Sequence, residues 1–403
     1  MSTAPVKNVD VKPSDLMAPP VAQLIQQRSL MIGILFAIIS LIFAFISPDQ
    51  FFRSYLLGYM AWLGLTLGCM SFLMINHMTG GAWGMVARRY MEAAIGTLPL
   101  MAVLFIPLIV GMHHVYVWTH ADAMTHDQHL VDLTHSYLTA SGFVWRAVIY
   151  FAIWLFLAYR LNKLSAEQDN PPTRNFSPRF RTIAAPGILL YAFTMSFAVI
   201  DWVMSLTPPW ISTIYAMIYL VGQTLSAICF IVVVERIFVP YKPVSQYLRP
   251  KEVHDHGKLM LTFIMLWAYF SFSQLLIIWA GNLPDEITFY TRRFHYGWEY
   301  VGLFLIVFHF AVPFAMLLSR PLKRDPRRLV WVAVWLIFMR YVDLYWFIEP
   351  NFHQGFYWHF LDAIVPVAIG GFWLAFFFRN VRRRPLLPLH DPHAMELLEL
   401  VND

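Results

Sequence analysis

Residues 330–348 run Val-Trp-Val-Ala-Val-Trp-Leu-Ile-Phe-Met-Arg-Tyr-Val-Asp-Leu-Tyr-Trp-Phe-Ile. About 20 apolar residues rising ~1.5 Å each cover a hydrocarbon core of ~30 Å, so this run can cross a bilayer. It nevertheless carries Arg340 and Asp343, and residues three apart share one helix face. Ionisable groups in a membrane span are costly and face the bundle interior or a wet cavity. Two readings of the pair stand: a structural ion pair, or an intramembrane site for protons or a polar ligand.

The other runs like it decide the class. The chain of 403 residues is 59% hydrophobic and only 13% charged, whereas a soluble domain is roughly a quarter charged. An all-α integral membrane protein follows. Ten spans are predicted, at about Ser29–Ile46, Ser54–Ile75, Glu92–Gly111, Phe143–Tyr159, Ala184–Leu206, Trp210–Val234, Leu259–Gly281, Tyr300–Ser319, Leu329–Ile348 and Leu361–Phe378. Trp83, Trp118, Trp210, Trp298 and Trp358 fall at span ends, as an interfacial belt requires. Residues 1–28 are polar and lack the apolar core of a cleavable signal peptide; residues 379–403 form a second polar tail.

Twenty-four of the 29 Lys and Arg lie on one side of these spans. Three (Arg53, Arg292 and Arg293) lie on the other, and Arg146 and Arg340 lie within spans. The positive-inside rule then predicts that both termini are cytoplasmic. The two cysteines, Cys69 and Cys229, exclude a disulfide framework, a Cys-ligated iron–sulfur cluster and CxxCH haem attachment.

A weak internal echo is present. Asp201 is followed seven residues later by Pro208, and Asp343 by Pro350; Tyr215 and Tyr357 share the same offset of 142. Four spans separate the copies, as a parallel duplication of a four-helix unit requires. The expected core is two related four-helix bundles, spans two to five (about 54–206) and six to nine (about 210–348), flanked by spans one and ten. Other intramembrane polar groups are Gln223, Thr224, Ser271, Ser273, Gln274 and His309. A b-type haem usually takes two axial ligands, and no second mid-span histidine pairs with His309, so bound haem is not expected. Asp201, Asp343, Arg340, His309 and Gln274 are the candidates for a hydrogen-bonded proton track.

Two loops stand out. The third, within 112–142, has no Lys or Arg and carries His113, His114, His120, Asp122, His126, Asp127, His129, Asp132 and His135. Imidazole and carboxylate suit metals, but the spacing matches no standard site, and a solvated or partner-contacting loop is expected. The second reads Asn76-His77-Met78-Thr79-Gly80-Gly81-Ala82-Trp83-Gly84, then Arg88-Arg89-Tyr90-Met91-Glu92-Ala93-Ala94. Its glycines allow a tight turn, the arginines would anchor the basic surface, and Glu92 would cap or pair at the next span.

This second loop, with Arg88, Arg89, Glu92 and Ala93 behind it, resembles the NrfD (polysulfide reductase membrane subunit) family, and within it the F-type subunits of bacterial alternative complex III. Ten spans and cytoplasmic termini agree, so the resemblance covers nearly the whole chain. It implies a multi-pass protein of the bacterial inner membrane, in a complex that oxidises menaquinol and reduces cytochrome c or a coupled terminal oxidase. The implied partners are a multihaem cytochrome c, a large iron–sulfur protein, a second NrfD-like subunit and small membrane or lipid-anchored subunits. F-type subunits are implied to carry protons rather than redox centres. Haem c and iron–sulfur clusters would then belong to partners, as this chain's lack of a ligand set also requires. Two alternatives remain at this level: a quinone-binding subunit of such a complex, with menaquinone bound here, or an independent secondary transporter.

Overall fold

The computed structural model describes residues 16–81, 83–120, 136–169, 176–208, 210–242, 244–388 and 391. Among these the protein is all-helical, with ten helices long and apolar enough to cross a membrane. They are α1 (Val21–Ile46), α2 (Pro48–Thr79), α3 (Trp83–Val110), α4 (Ala140–Asp169), α5 (Ser177–Leu206), α6 (Thr213–Phe238), α7 (Pro250–Gly281), α8 (Trp298–Leu318), α9 (Pro326–Asn351) and α10 (Leu361–Val381). It is a multi-pass helical membrane protein.

The most enclosed helices are α2 and α6, 89% and 78% buried along their apolar windows, against 17% for α1. They pack directly on each other. Around them, α2 touches α3 and α5, and α4 touches the same two; α6 touches α7 and α9, and α8 touches the same two. Flanking these, α1 and α10 lie along one another and reach the centre through α2. Small residues make the central approach possible. A Cβ on Gly68 would overlap the Gln223 carbonyl oxygen of α6. Beside it, Ser71 Oγ and Thr224 Oγ1 are 3.1 Å apart, and the Gln223 amide donates to the Tyr191 hydroxyl of α5. In hydrocarbon such close backbone packing and cross-helix hydrogen bonds replace the hydrophobic drive that holds soluble bundles.

Proline shapes several spans. Pro326 opens α9 behind an Asp325 side chain that accepts from the Arg327 N–H at 2.9 Å, a favourable start for a helix. In α3, Pro99 and Pro107 stand at the starts of the short segments Leu98–Val103 and Ile106–Val110. In α8, Pro313 has no N–H to close a turn onto the His309 carbonyl, and Leu305–Ala311 is wound as a π-helix.

The helices overrun the apolar runs on the basic face, and this corrects two expectations. Residues 83–91 are helix, not loop, and Gly80 (φ 70°) and Gly81 (φ 103°) turn the chain after the end of α2. Arg88 and Arg89 are buried at 2% and 4% exposure instead of lying on the surface. Arg88 donates to Glu92 at 2.8 Å, Gln168 at 2.7 Å and Asp391 at 2.9 Å. Arg89 donates to Glu92 at 2.8 Å, to Ser165 at 2.6 Å and to Asp169. Glu92 does pair as expected, and α4 closes the cluster. The sequence shows where hydropathy stops, whereas these ion pairs let the helix continue past that point.

On the opposite face, the short helix Pro284–Arg293 carries a fully buried Arg293. Its guanidinium donates to the Trp346 and Phe347 carbonyls of α9 at 3.1 and 2.8 Å. A cation there offsets the negative end of the α9 dipole; burial pulls the guanidinium below its ordinary value, to about 10. Of the histidine-rich loop, residues 121–135 lie outside the described residues. Before them, His114 Nδ1 stands 2.6 Å from Asp49 Oδ1 and the His113 and His120 rings stack at 3.9 Å.

The central contact makes a direct prediction. Gly68→Ala forces α2 from α6 and should cost roughly 1–3 kcal/mol, the usual range for over-packing. Gly281→Ala, with nothing within 4 Å of the added methyl, should leave the melting point of the detergent-solubilised protein unchanged. Equal melting points for the two variants would contradict this account of the interface.

Candidate functional site: two buried aspartates

Asp201 lies in the last turns of α5 and is fully buried. Two donors from α4 converge on its Oδ2: Arg146 Nε at 2.9 Å and the Tyr150 hydroxyl at 2.8 Å. They are four residues apart, so one face of α4 presents both. Arg146 is held in turn by the Tyr137 carbonyl at 3.1 Å and by the Tyr137 ring, 4.0 Å away. Burial and the Asp201 charge push the Tyr137 phenol up to about 12.

Asp343 is 1% exposed in α9. Its Oδ2 accepts from Arg340, one turn back on the same helix, and from Trp267 Nε1 of α7 at 3.2 Å. Arg340 reaches across α6 where that helix lacks a side chain: a Cβ on Gly222 would overlap its guanidinium. That guanidinium also faces the Tyr219 ring at 5.1 Å. His309, in the π-helical stretch of α8, is fully buried and stacks on Trp267 at 4.2 Å. A groove of about 630 Å³ opens between α7 and α8 and reaches Asp343; its mostly apolar lining includes Trp267, Phe272, Gln274, Leu303 and Trp346. Gln274 is 1% exposed, and neither atom of its amide has a partner among the described residues.

The five sequence candidates therefore divide. Arg340, Asp343 and His309 gather around Trp267, Gln274 lines the same groove two turns further along α7, and Asp201 stands apart with α4. Both sites hold an acid against an arginine and a ring-borne donor, but Asp201 is paired from a neighbouring helix and Asp343 from its own. The third identity of the internal echo is not equivalent in surroundings: Tyr215 is buried among Trp210, Phe289 and Phe347, whereas Tyr357 is exposed.

No protein-family model matches this chain, and no curated protein matches it either.

Several groups escape a reading of the sequence. Arg146 is visible there as a span arginine, but its partner is 55 residues away. Trp267 and Tyr150 look like packing aromatics. On the basic face, Glu235 of α6 and His256 of α7 are buried and 3.0 Å apart, with His256 Nε2 2.7 Å from the Trp83 carbonyl. Both residues fall beyond the apolar runs, where hydropathy gives no sign of burial. Among the described residues, no group of three or more His, Cys, Asp or Glu is arranged to hold a metal ion.

Chemically, each site can hold a carboxylate charge deep in the protein. An unpaired aspartate or arginine at mid-membrane costs about 2.5–3.5 kcal/mol on insertion scales, and pairing lowers that cost. Arg340→Ala leaves Asp343 buried with one donor, so it should destabilise by about 3–5 kcal/mol. Adding Asp343→Asn to Arg340→Ala should restore part of this loss in a thermal-melt double-mutant cycle. Additive losses would mean that the pair is not coupled.

Proposed function

We propose that this chain is the membrane subunit of a respiratory quinol-oxidising complex of the alternative complex III type, carrying no redox cofactor and providing a proton path. The observation that carries this reading is the pair of buried aspartate sites, Asp201 and Asp343, 142 residues apart and each set against an arginine. Acids placed this way, with protonatable neighbours, are the usual components of intramembrane proton relays.

The same reading takes α2–α5 and α6–α9 as related four-helix units flanked by α1 and α10. The identical order of helix neighbours in the two sets supports it. So does the resemblance of the run His77 to Gly84, with Arg88, Arg89, Glu92 and Ala93, to F-type subunits of the NrfD family. The basic face is then cytoplasmic, with both termini there, in a bacterial inner membrane. The partners are those the resemblance implies: a multihaem cytochrome c, an iron–sulfur protein, a second NrfD-like subunit and small membrane subunits. Electrons from menaquinol pass through those partners; this chain contributes protonatable side chains.

A second reading has one specific observation in its favour. The apolar groove is lined by a buried Gln274 amide that offers both a donor and an acceptor, and by Asp343. An amphipathic ring such as a quinone head-group fits that chemistry. Photo-crosslinking with an azidoquinone separates the two: labelling of Gln274 and its neighbours favours bound menaquinone here, and labelling confined to partner chains favours the proton-path subunit.

Purification in mild detergent tests the complex itself. Co-purifying c-type haem and iron–sulfur protein is the expected result; a colourless, stable, solitary protein would make an independent secondary transporter the better reading. In the assembled complex, Asn at position 343 keeps a carbonyl acceptor for Arg340 but cannot release a proton. Asp343→Asn should therefore leave subunit stoichiometry intact and slow coupled proton movement by tenfold or more, a barrier change of about 1.4 kcal/mol or greater. Loss of assembly with normal coupling in the residual complex would return Asp343 to a structural ion pair.

A further inference from the structure

Where α9 ends and α10 begins, polar groups from three helices meet in a place that neither aspartate site uses. Glu349, in the last turn of α9, is 0% exposed, and neither carboxyl oxygen has a hydrogen-bond partner among the described residues. Its charged neighbours are Asp362, in the first turn of α10, and Arg53 of α2. Asp362 is buried as well, but is well partnered. It accepts from Ser54 Oγ at 2.5 Å, Gln50 Nε2 at 3.1 Å and the His359 N–H at 3.0 Å. The Tyr341 and Tyr345 hydroxyls are turned to main chain, donating to the Asp362 and Tyr357 carbonyls.

A structural ion pair would place the Arg53 guanidinium on the Glu349 carboxylate. Instead Arg53 lies over the Phe352 ring at 4.7 Å, and its Nε is buried without a partner among the described residues. One turn past Glu349, His353 has its backbone N–H on the Glu349 carbonyl at 3.3 Å, and its Nε2 is likewise buried and unpartnered. Burial and the Arg53 charge hold this imidazole below its ordinary value, so at neutral pH it is uncharged, with a ring nitrogen free to carry a proton transiently. Three side chains with unpartnered atoms thus meet at this corner. Buried polar atoms that protein does not satisfy are as a rule satisfied by ordered water, which makes about three hydrogen bonds per molecule.

We propose that Glu349 and Asp362 form a water-linked carboxyl pair that binds and releases a proton at this end of the bundle, with half-exposed His353 passing it to solution. Two carboxyls at one buried site favour a shared proton, because both charges together are unfavourable, and they titrate as a unit. Arg53 balances the single remaining charge. The proposal deepens the proton-path reading and rests on it for its use in the cell, but the site can be tested by itself.

A hydrophobic carbodiimide takes up the proton of a buried carboxylic acid and leaves a stable N-acylurea, which peptide mass spectrometry locates. With the wild-type complex in native membranes, Glu349 should be labelled, less so as pH rises. Asp362→Asn should move the pH of half-labelling by about one unit, as expected for two directly coupled charges, and Glu349→Gln should abolish the label at this peptide. His353→Ala should slow proton exchange at the pair, read as a slower change in labelling after a pH jump, without removing the label. Absence of label at every pH, a profile indifferent to Asp362→Asn, or protection by sodium at fixed pH would each overturn the proposal, the last in favour of a bound cation. Because Asp343→Asn should leave this labelling unchanged, failure of the pair and failure of the proton-path reading give different results.

Discussion

Three consecutive residues of α6 hold the molecule together. Gly222 admits the Arg340 guanidinium of α9, Gln223 meets α2 at Gly68 and α5 at Tyr191, and Thr224 meets Ser71 of α2. None of these contacts is hydrophobic in kind. In a membrane the apolar faces of helices gain little by leaving lipid, so close backbone approach and polar contacts must decide which helices touch. The stretch Gly222-Gln223-Thr224 supplies both, and it explains why α2 and α6 are the enclosed axis while α1, α7 and α8 show apolar side chains outward. It also places the Arg340–Asp343 site directly against the seam between the two halves of the chain.

The degree to which buried charges are satisfied separates anchoring from exchange. On the basic face, Arg88, Arg89 and Glu92 share ion pairs and hydrogen bonds with α4 and Asp391, and the cluster ties α3 to α4 and to the C-terminal segment. Breaking such a network leaves charges uncompensated, which is costly. At the other end, the charges around Glu349 are not matched to each other although Glu349 and Asp362 are just as deep. A group kept buried without its full complement of partners contributes little to stability, so its presence calls for another explanation. That contrast separates the two ends of the bundle more sharply than any count of charged residues.

Much of the fold is legible in the sequence because a bilayer punishes exposed backbone: apolar runs must be helices, and all ten coincide with described helices. Their ends are not legible, since helices such as α3 and α4 continue on ion pairs after hydropathy has ceased. Arg340 and Asp343 can be joined from sequence because three residues on a helix fix a shared face. Arg146 and Asp201 cannot, because which helix faces which is decided by packing. Glu349 is missed for a different reason. It follows the last apolar residue of its run and looks solvated, yet a further turn of helix and the start of α10 enclose it.

The two aspartates respond to different events because their arginines come from different places. Asp201 is held by residues of α4, so any shift of α4 against α5 lengthens both of its bonds at once. Asp343 and Arg340 ride on one helix, and no rigid movement of α9 can part them. Their bond yields only to side-chain rotation or to a competing polar partner, and the groove between α7 and α8 is where such a partner reaches Asp343. His309 stands behind this arrangement in the one turn of α8 that Pro313 has loosened, stacked on the Trp267 ring that donates to Asp343. A conformational signal therefore acts first on Asp201, and a ligand or water chain acts first on Asp343. If the halves derive from one four-helix unit, they have diverged in the way their buried acids are controlled.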